Sequence, residues 1–373
     1  MITVLHVLEA TEGGTRRHLR DLVGALEPLG FRCALAVSCR RDPAFRRDVA
    51  FYLSRGLTVA ELPMRRGLAP IADVAALLRL IGCVRRVRPS VIHAHSAKGG
   101  LLARAAGAVC RVPVVYTPHV FPFLMACDPR MRRVYRLVER GLRCMTAAVI
   151  AVSEEERREA AALGYAASRI YLIPNGVDGK VPGEVTVRKD GELRVGFFGR
   201  LTAQKGPSVL LEAVADVVAH LPQVRFVFYG DGTEADTLRA RAEVLKLNDA
   251  VRFLGSVAQG EVVAHMRQTD VIGIPSRWEG CPYVVLEAFQ AGVPVVAAAV
   301  GGVPDLIRDG VTGVLVEPDN PEALCDALLS LLRDPQKRRR IAEQARNELA
   351  RYRLDAMAAA VADVYRRVTQ DLP

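Results

Sequence analysis

The sequence is sparing with aromatic residues, 6% of the chain with a single tryptophan, and it has no run of 18 uncharged apolar residues. The longest candidate, Tyr283 to Val303, is interrupted by Glu287 and Gln290, so no membrane-spanning helix is predicted. Its eight cysteines contain no C-x-x-C pair and sit at spacings that suit neither zinc nor a dense disulfide framework, so free thiols in a reducing compartment are expected. The first residues, MITVLHVLEATEGG, place no basic leader before the apolar run, unlike a secretory signal, and a cytoplasmic location is expected. No short-period repeat and no low-complexity tract interrupts the chain.

What is present is an ordinary globular composition: 373 residues, 50% apolar and 25% charged, enough for two domains with their own cores. The net charge of +10 is unevenly spread. Through Lys180 there are 28 basic against 15 acidic residues, a net +13, and the remainder has 23 against 26, a net −3. A basic first half suits nucleic acid, anionic lipid or a phosphorylated substrate, and charge alone does not choose among them.

Short β-branched runs alternate with helical patterns. ITVLHVL, CALAV, LTVAEL, SVIHAH, PVVYT and AAVIAV read as strands, with periodic segments such as Gly14 to Leu29, Ile71 to Val87 and Lys98 to Cys110 between them. After a Gly- and Pro-rich stretch from Ile173, a second series begins: LRVGFFG, VRFVFYG, VRFLG, DVIGIP, VPVVAA and TGVLVEP. Repeated strand-helix units predict two doubly wound α/β domains with parallel sheets, and a ligand cleft between them beyond the strands' carboxyl ends. The expected division is a first domain over 1–175, a linker over 176–192, a second domain over 193–352, and a final helix over 353–373 that returns to the first domain. The residues from Pro321 onward read as continuously helical.

The most informative stretch is Arg277 to Ala288, RWEGCPYVVLEA. Pro282 suits a first helical position, so the loop carrying Glu279 should run into a helix whose free N–H groups, around Tyr283 and Val284, attract a phosphate. Glu287 lies one turn further on, where a carboxylate can accept both hydroxyls of a ribose. Directly after the strand LRVGFF, Arg200 and Lys205 can converge on a diphosphate and neutralise a leaving group. No Asp-x-Asp occurs in the chain, so cationic side chains must serve where a carboxylate-held metal otherwise would, and no metal is expected. Gly13-Gly14 after the first strand allows close backbone approach to a ligand, as does Gly230-Asp231-Gly232 in the second half. His119 follows a strand where its side chain would face the cleft. His93 and His95 share one face of their strand, and a hydrogen-bonding role is favoured for them because no third ligand has metal-site spacing.

Taken together, the E-x7-E pair Glu279 and Glu287, the segment Gly199 to Gly206, IPNGVD at Ile173 to Asp178, Gly13-Gly14 and TPH at Thr117 to His119 resemble the family 4 glycosyltransferases of GT-B architecture. The resemblance runs in register through nearly the whole chain. It implies a retaining transferase of hexosyl or N-acetylhexosaminyl type that uses a nucleotide sugar, with a UDP-sugar the expected donor and no essential metal or other cofactor. It further implies that Arg200 and Lys205 hold the donor diphosphate, Glu287 the ribose and Glu279 the hydroxyls of the transferred sugar. The backbone from Gly280 through Cys281 and Pro282 to Tyr283 would complete the cradle, His119 would contact the sugar near the reacting centre, and Gly14 would lie near the donor phosphate. Cys281 stands where bulky apolar residues are common in the family.

Arg130 to Arg143 reads as a basic amphipathic helix, with Met131, Val134, Val138 and Leu142 at helical spacing among six arginines. It fits either an anionic membrane surface or a core-facing helix with a solvated basic face. Arg40-Arg41, Arg46-Arg47 and Arg65-Arg66 add charge to the same domain. A lipid-linked or polysaccharide precursor is the expected acceptor. A GT-B sugar-nucleotide epimerase is the alternative among enzymes. A basic nucleic-acid-binding protein is the alternative outside them, disfavoured because no aromatics interleave with the arginines.

Overall fold

The computed structural model describes residues 1–67, 69–179 and 192–370. The expected linker falls mostly outside these. The chain forms two compact units, Met1–Gly176 with Leu354–Pro373, and Val177–Arg353.

The first unit runs β1 (Thr3–Leu8), α1 (Gly13–Leu26), β2 (Arg32–Val37), α2 (Arg46–Ser54), β3 (Thr58–Glu61), α3 (Pro70–Val87), β4 (Val91–His95), α4 (Ser96–Cys110), β5 (Val114–Thr117), α5 (Pro129–Leu142), β6 (Ala148–Ala151), α6 (Glu154–Ala162) and β7 (Ile170–Leu172). Its sheet is parallel, in the order β3-β2-β1-β4-β5-β6-β7. Alternation along the strands divides the apolar residues between two faces. Leu5, Val7, Ile92, Ala94, Val114, Tyr116 and Val149 pack on one side with Leu80 of α3 and Leu102 of α4. Val4, Val91, Val115, Ala148 and Ile150 pack on the other with Leu22 and Leu26 of α1. The short edge strand β7 is only partly buried, and no sequence pattern announced it.

The second unit runs β8 (Leu193–Phe198), α7 (Pro207–His220), β9 (Val224–Tyr229), α8 (Ala235–Val244), β10 (Val251–Gly255), α9 (Val262–Met266), β11 (Val271–Ile274), α10 (Tyr283–Ala291), β12 (Val295–Ala298), α11 (Val303–Leu306), β13 (Val314–Val316), α12 (Pro321–Arg333) and α13 (Pro335–Glu348). Its parallel sheet has the order β10-β9-β8-β11-β12-β13. Strand order therefore reverses between β8 and β11, which makes their carboxyl ends the crevice of this unit. All six strands expected from sequence are in place.

The continuous helix expected from Pro321 is instead three. Asp334 ends α12 and caps α13, its side chain accepting from the N–H groups of Gln336 and Lys337, with Pro335 at the first helical position. The third, α14 (Leu354–Gln370), belongs to the first unit. Its buried stripe, Met357, Ala358, Val361, Ala362, Val364, Tyr365 and Val368, packs with α1 in the second of the two cores.

α5 does not turn its apolar stripe inward. Asp128 caps it, accepting from the Arg130 N–H, and its buried residue is Glu139. Both Glu139 oxygens accept from the Arg104 guanidinium on α4, at 2.8 and 3.0 Å. That guanidinium also lies 4.1 Å from the centre of the Tyr116 ring. Because Arg104 is fully buried, removing its counter-ion would strand a charge away from water. Glu139→Ala should therefore cost about 3–5 kcal/mol. Urea unfolding measures this, and an unchanged midpoint would contradict it.

Candidate functional site

In the second unit the loop after β8 carries Arg200 and Lys205, and the loop after β11 carries Glu279, so the strand-order reversal brings both to one edge. Lys205 Nζ donates to Glu279 Oε1 at 2.5 Å, and Ser276 Oγ donates to the same oxygen at 2.7 Å. Glu279 is buried and Lys205 partly accessible. Arg200 donates to Gln204 Oε1 at 3.0 Å, and Gln204 Nε2 donates to the Trp278 carbonyl at 3.2 Å, tying the two loops together. Arg277 adds a third tie, its guanidinium donating to the Ala203 carbonyl at 2.7 Å.

Glycine is required where the two loops touch. Gly206 has φ +62°, and a Cβ there would lie 2.1 Å from the Pro275 carbonyl oxygen. At Gly301, after β12, φ is +55° and a Cβ would lie 1.8 Å from the Glu279 carbonyl oxygen. Gly230 and Gly232 brace the loop after β8 from the other side, against the backbone of Gly199 and Leu201. The close approach that the sequence predicts at Gly230 and Gly232 is here to the protein's own backbone, and no pattern marks Ser276 or Gln204. Gly301 had a signal, the Gly-Gly that follows β12.

Gly280, Cys281 and Pro282 are buried at the entry to α10. Pro282 is the N-cap rather than the first helical residue: its ψ of 119° is extended, and the helix begins at Tyr283. The carbonyl of Pro282 starts the helix while no side chain caps it. Glu287 lies one turn in and is buried, as is nearly the whole helix. The second unit thus holds Arg200, Lys205, Glu279, Glu287 and the 280–283 backbone in two adjoining loops and the helix they lead into.

The first unit holds Gly14 and His119. Gly13 has φ +58° and begins α1, whose N-terminus also lacks a side-chain cap. His18, one turn beyond Gly14, is buried, and its ring centre lies 4.6 Å from that of His119. His95 joins them: its Nδ1 is 3.2 Å from His119 Nε2, and its Nε2 is 3.2 Å from His6 Nδ1. His93 bonds Tyr365 of α14 at 2.5 Å and Thr117 at 2.8 Å, and His18 Nδ1 bonds Asn175 at 2.9 Å. Five histidines thus form one group. The expectation that His93 and His95 lack a third neighbour is corrected: nitrogens of His6, His93 and His95, and of His18, His95 and His119, lie within 4.8 Å of one another. Residues from β1, α1, β4 and the loop after β5 meet only in the folded sheet.

His119 and Val120 are strained. Their φ values of +50° and +82° lie in the left-handed region, which a β-branched residue such as Val120 adopts at a cost on the order of 1–3 kcal/mol. The turn is anchored from α6 by buried Glu156, whose carboxylate accepts from the N–H groups of Val120, at 2.5 Å, and Val152, at 3.0 Å.

A family model described as Glycosyltransferase Family 4 matches residues 12–180, and one described as Glycosyl transferases group 1 matches residues 184–348. The D-inositol 3-phosphate glycosyltransferase of Xylanimonas cellulosilytica is 32% identical over 311 residues, 76% of this chain and 73% of that one. The UDP-Gal:alpha-D-GlcNAc-diphosphoundecaprenol alpha-1,3-galactosyltransferase of Escherichia coli is 27% identical over 284 residues, 72% of this chain and 73% of that one. Among solved structures, Anabaena Alr3699/HepE in complex with UDP and glucose matches with a TM-score of 0.82 at 22% identity, covering 98% of this chain and all of that chain. Two parallel-sheet α/β units of this kind define the GT-B class. The chain belongs to the family 4, or group 1, glycosyltransferases, and it is an enzyme of sugar transfer. Neither the epimerase nor the nucleic-acid reading draws support from these relatives.

Burial lowers His6 to about 3 and His18 to about 4, and holds His93, His95 and His119 well below the ordinary 6.5; repulsion from neighbouring rings adds to the effect except at His18, where the bond to Asn175 opposes it. Unfolded histidines take up protons near pH 6.5, whereas the folded ones resist. Stability is therefore complete above about pH 6.5 and is lost on acidification, by about 1.4 kcal/mol per pH unit for each histidine. Glu156 works the opposite way: burial raises it to about 7, so between 4.5 and 7 the folded state keeps a proton that the unfolded chain releases. Five histidines outweigh one carboxyl. The urea midpoint should fall steeply between pH 7 and pH 5, and equal midpoints would show that the cluster already carries charge when folded.

Proposed function

We propose that the protein is a retaining glycosyltransferase that moves a hexosyl group from a UDP-sugar to an acceptor, without a metal. The observation that carries the reading is the Lys205–Glu279 pair at the sheet's reversal point, beside the uncapped start of α10. Arg200 and Lys205 bind the donor diphosphate, the backbone N–H groups at the head of α10 bind phosphate oxygens, Glu287 binds the ribose and Glu279 the sugar hydroxyls. His119 acts on the sugar during transfer, and Gly14 leaves room for the donor phosphate. As the bond from the anomeric carbon to the diphosphate oxygen breaks, the two cations take up the growing negative charge. The acceptor oxygen then bonds to that carbon on the face the diphosphate leaves, and its proton passes to the leaving phosphate oxygen. No protein nucleophile is required.

The two relatives, an inositol 3-phosphate glycosyltransferase and a galactosyltransferase named for a diphosphoundecaprenol-linked sugar, support an anionic or lipid-linked acceptor. Exposed apolar side chains support its delivery at an anionic membrane. Val134, Leu137 and Val138 of α5 stand 46%, 70% and 42% exposed among the arginines of that helix. Ile71, Val74 and Leu78, one stripe of α3, are exposed too, and α3 packs in the core that also takes Tyr135 of α5. Among the described residues no helix is long and apolar enough to cross a membrane, so association through this face would be peripheral.

Lys205→Ala should slow turnover about a hundredfold, the equivalent of roughly 3 kcal/mol of transition-state stabilisation. Glu287→Ala should weaken UDP binding in calorimetry, and transfer should persist in excess chelator. Near wild-type kinetics in the lysine variant, unchanged UDP affinity in the glutamate variant, or loss of activity on chelation would each count against the assigned role.

Binding to anionic liposomes should be reversible and salt-sensitive, since each arginine contributes about 1 kcal/mol at most and screening acts within roughly 8 Å. Co-sedimentation of the wild type and of Arg132→Glu/Arg133→Glu/Arg136→Glu, with a melting curve for each, measures it. If the folded wild type ignores anionic liposomes at low salt, the basic surface serves a soluble acidic acceptor instead.

A further inference from the structure

Ser153 and Glu156 have the S-x-x-E spacing of a capping box, in which the glutamate normally reaches back to the N–H of the capping residue itself. One half of that box is present: Ser153 Oγ accepts from the Glu156 N–H at 3.2 Å. The other half is diverted. Glu156 gives one oxygen to Val152, the residue before the cap, and the other to Val120, 36 positions earlier in a different loop. An acceptor is thereby supplied to the turn that holds two consecutive non-glycine residues at positive φ, His119 and Val120.

The surroundings of that turn leave it few other anchors. Val120 is buried, so its N–H cannot turn to water. On one side Phe121 and Phe123 stack in the apolar core, with ring centres 5.1 Å apart. On the other, the His119 ring meets His95 and His18. Apolar packing and a chain of imidazoles fix the two flanks, while the Glu156 carboxylate from α6 holds the backbone between them.

We propose that Glu156 is a positioning residue of the transferase: by holding the Val120 N–H it keeps the strained turn, and with it the His119 imidazole, in the conformation used for sugar transfer. This rests on the reading of His119 as a residue of the transfer step. A glutamine at 156 cannot do the same work, because its amide nitrogen would face one of the two N–H groups as a second donor. A glycine at 120 adopts positive φ without strain, so it should make the anchor dispensable.

The test is run above pH 7, where Glu156 is ionised and both its oxygens can accept, and uses the full chain and the release of UDP from UDP-glucose and from UDP-N-acetylglucosamine, with UDP affinity measured by calorimetry. Glu156→Gln should slow release at least tenfold while UDP affinity, to which neither Glu156 nor His119 is assigned, stays within twofold. Val120→Gly/Glu156→Gln should return to within about threefold of Val120→Gly alone, a rescue that a general folding defect would not show. Wild-type release by Glu156→Gln, or no rescue in the double variant, overturns the proposal. His119→Ala separates the two readings: if it releases UDP like the wild type, the role of His119 fails. If it is slow while Glu156→Gln is normal, only the role of Glu156 fails. Should Glu156→Gln not fold, hydrogen exchange of the wild-type Val120 amide decides. Exchange at least a thousandfold slower than in an unstructured chain is expected, and free exchange within seconds overturns the anchor.

Discussion

Every strand pairing within the two sheets is parallel, and that constraint determines where the chemistry can be. When all strands point one way, all the loops that leave their carboxyl ends emerge at one edge, whatever their separation along the chain. In the second unit this joins residues 74 positions apart into the Lys205–Glu279 pair. In the first it stacks His6, His95 and His119 from β1, β4 and the loop after β5 into one run of imidazoles.

The two units use that edge in opposite electrostatic senses. The second gathers opposite charges, keeps the lysine partly in water and closes the loops on glycines, so that the cation is fixed in place with little left to reorganise. The first gathers groups of one kind and keeps them neutral by burial. Its histidines hydrogen-bond to each other, to Tyr365, Thr117 and Asn175, which specifies their orientations without placing a charge in the interior.

The architecture was legible in the sequence because fully buried parallel strands are short β-branched runs, and turn residues bound nearly all of them here. The adjoining loops of the second unit were legible because their residues are contiguous: Arg200 and Lys205 share one loop, and Glu279 and Glu287 share a loop and its helix. The histidine group was not legible. His6 and His95 are 89 positions apart and meet only through strand order, which periodicity does not report. Glu156 shows the same limit at closer range, since S-x-x-E announces a helix start but says nothing of the strained turn its carboxylate reaches. Pro282 was misplaced by one position because proline is tolerated both at an N-cap in extended backbone and at the first helical residue. The break at Asp334 was overlooked because the apolar stripes of α12 and α13 read as one pattern when the capping aspartate between them is ignored.

The return of α14 to the first unit has a consequence for how the protein is made. Leu22, Leu26, Val91 and Ile150 are covered by residues 354–370, and His93 finds its Tyr365 partner there. During synthesis these apolar and polar groups leave the ribosome more than 200 residues before the helix that shields them, since Ile150 precedes Leu354 by 204 positions, and the whole second unit can fold in the interval. Of the two units, the one translated earlier is thus completed later, and until then it offers a sheet face without the cover of α14. A chaperone would find its client there, and a protease would too.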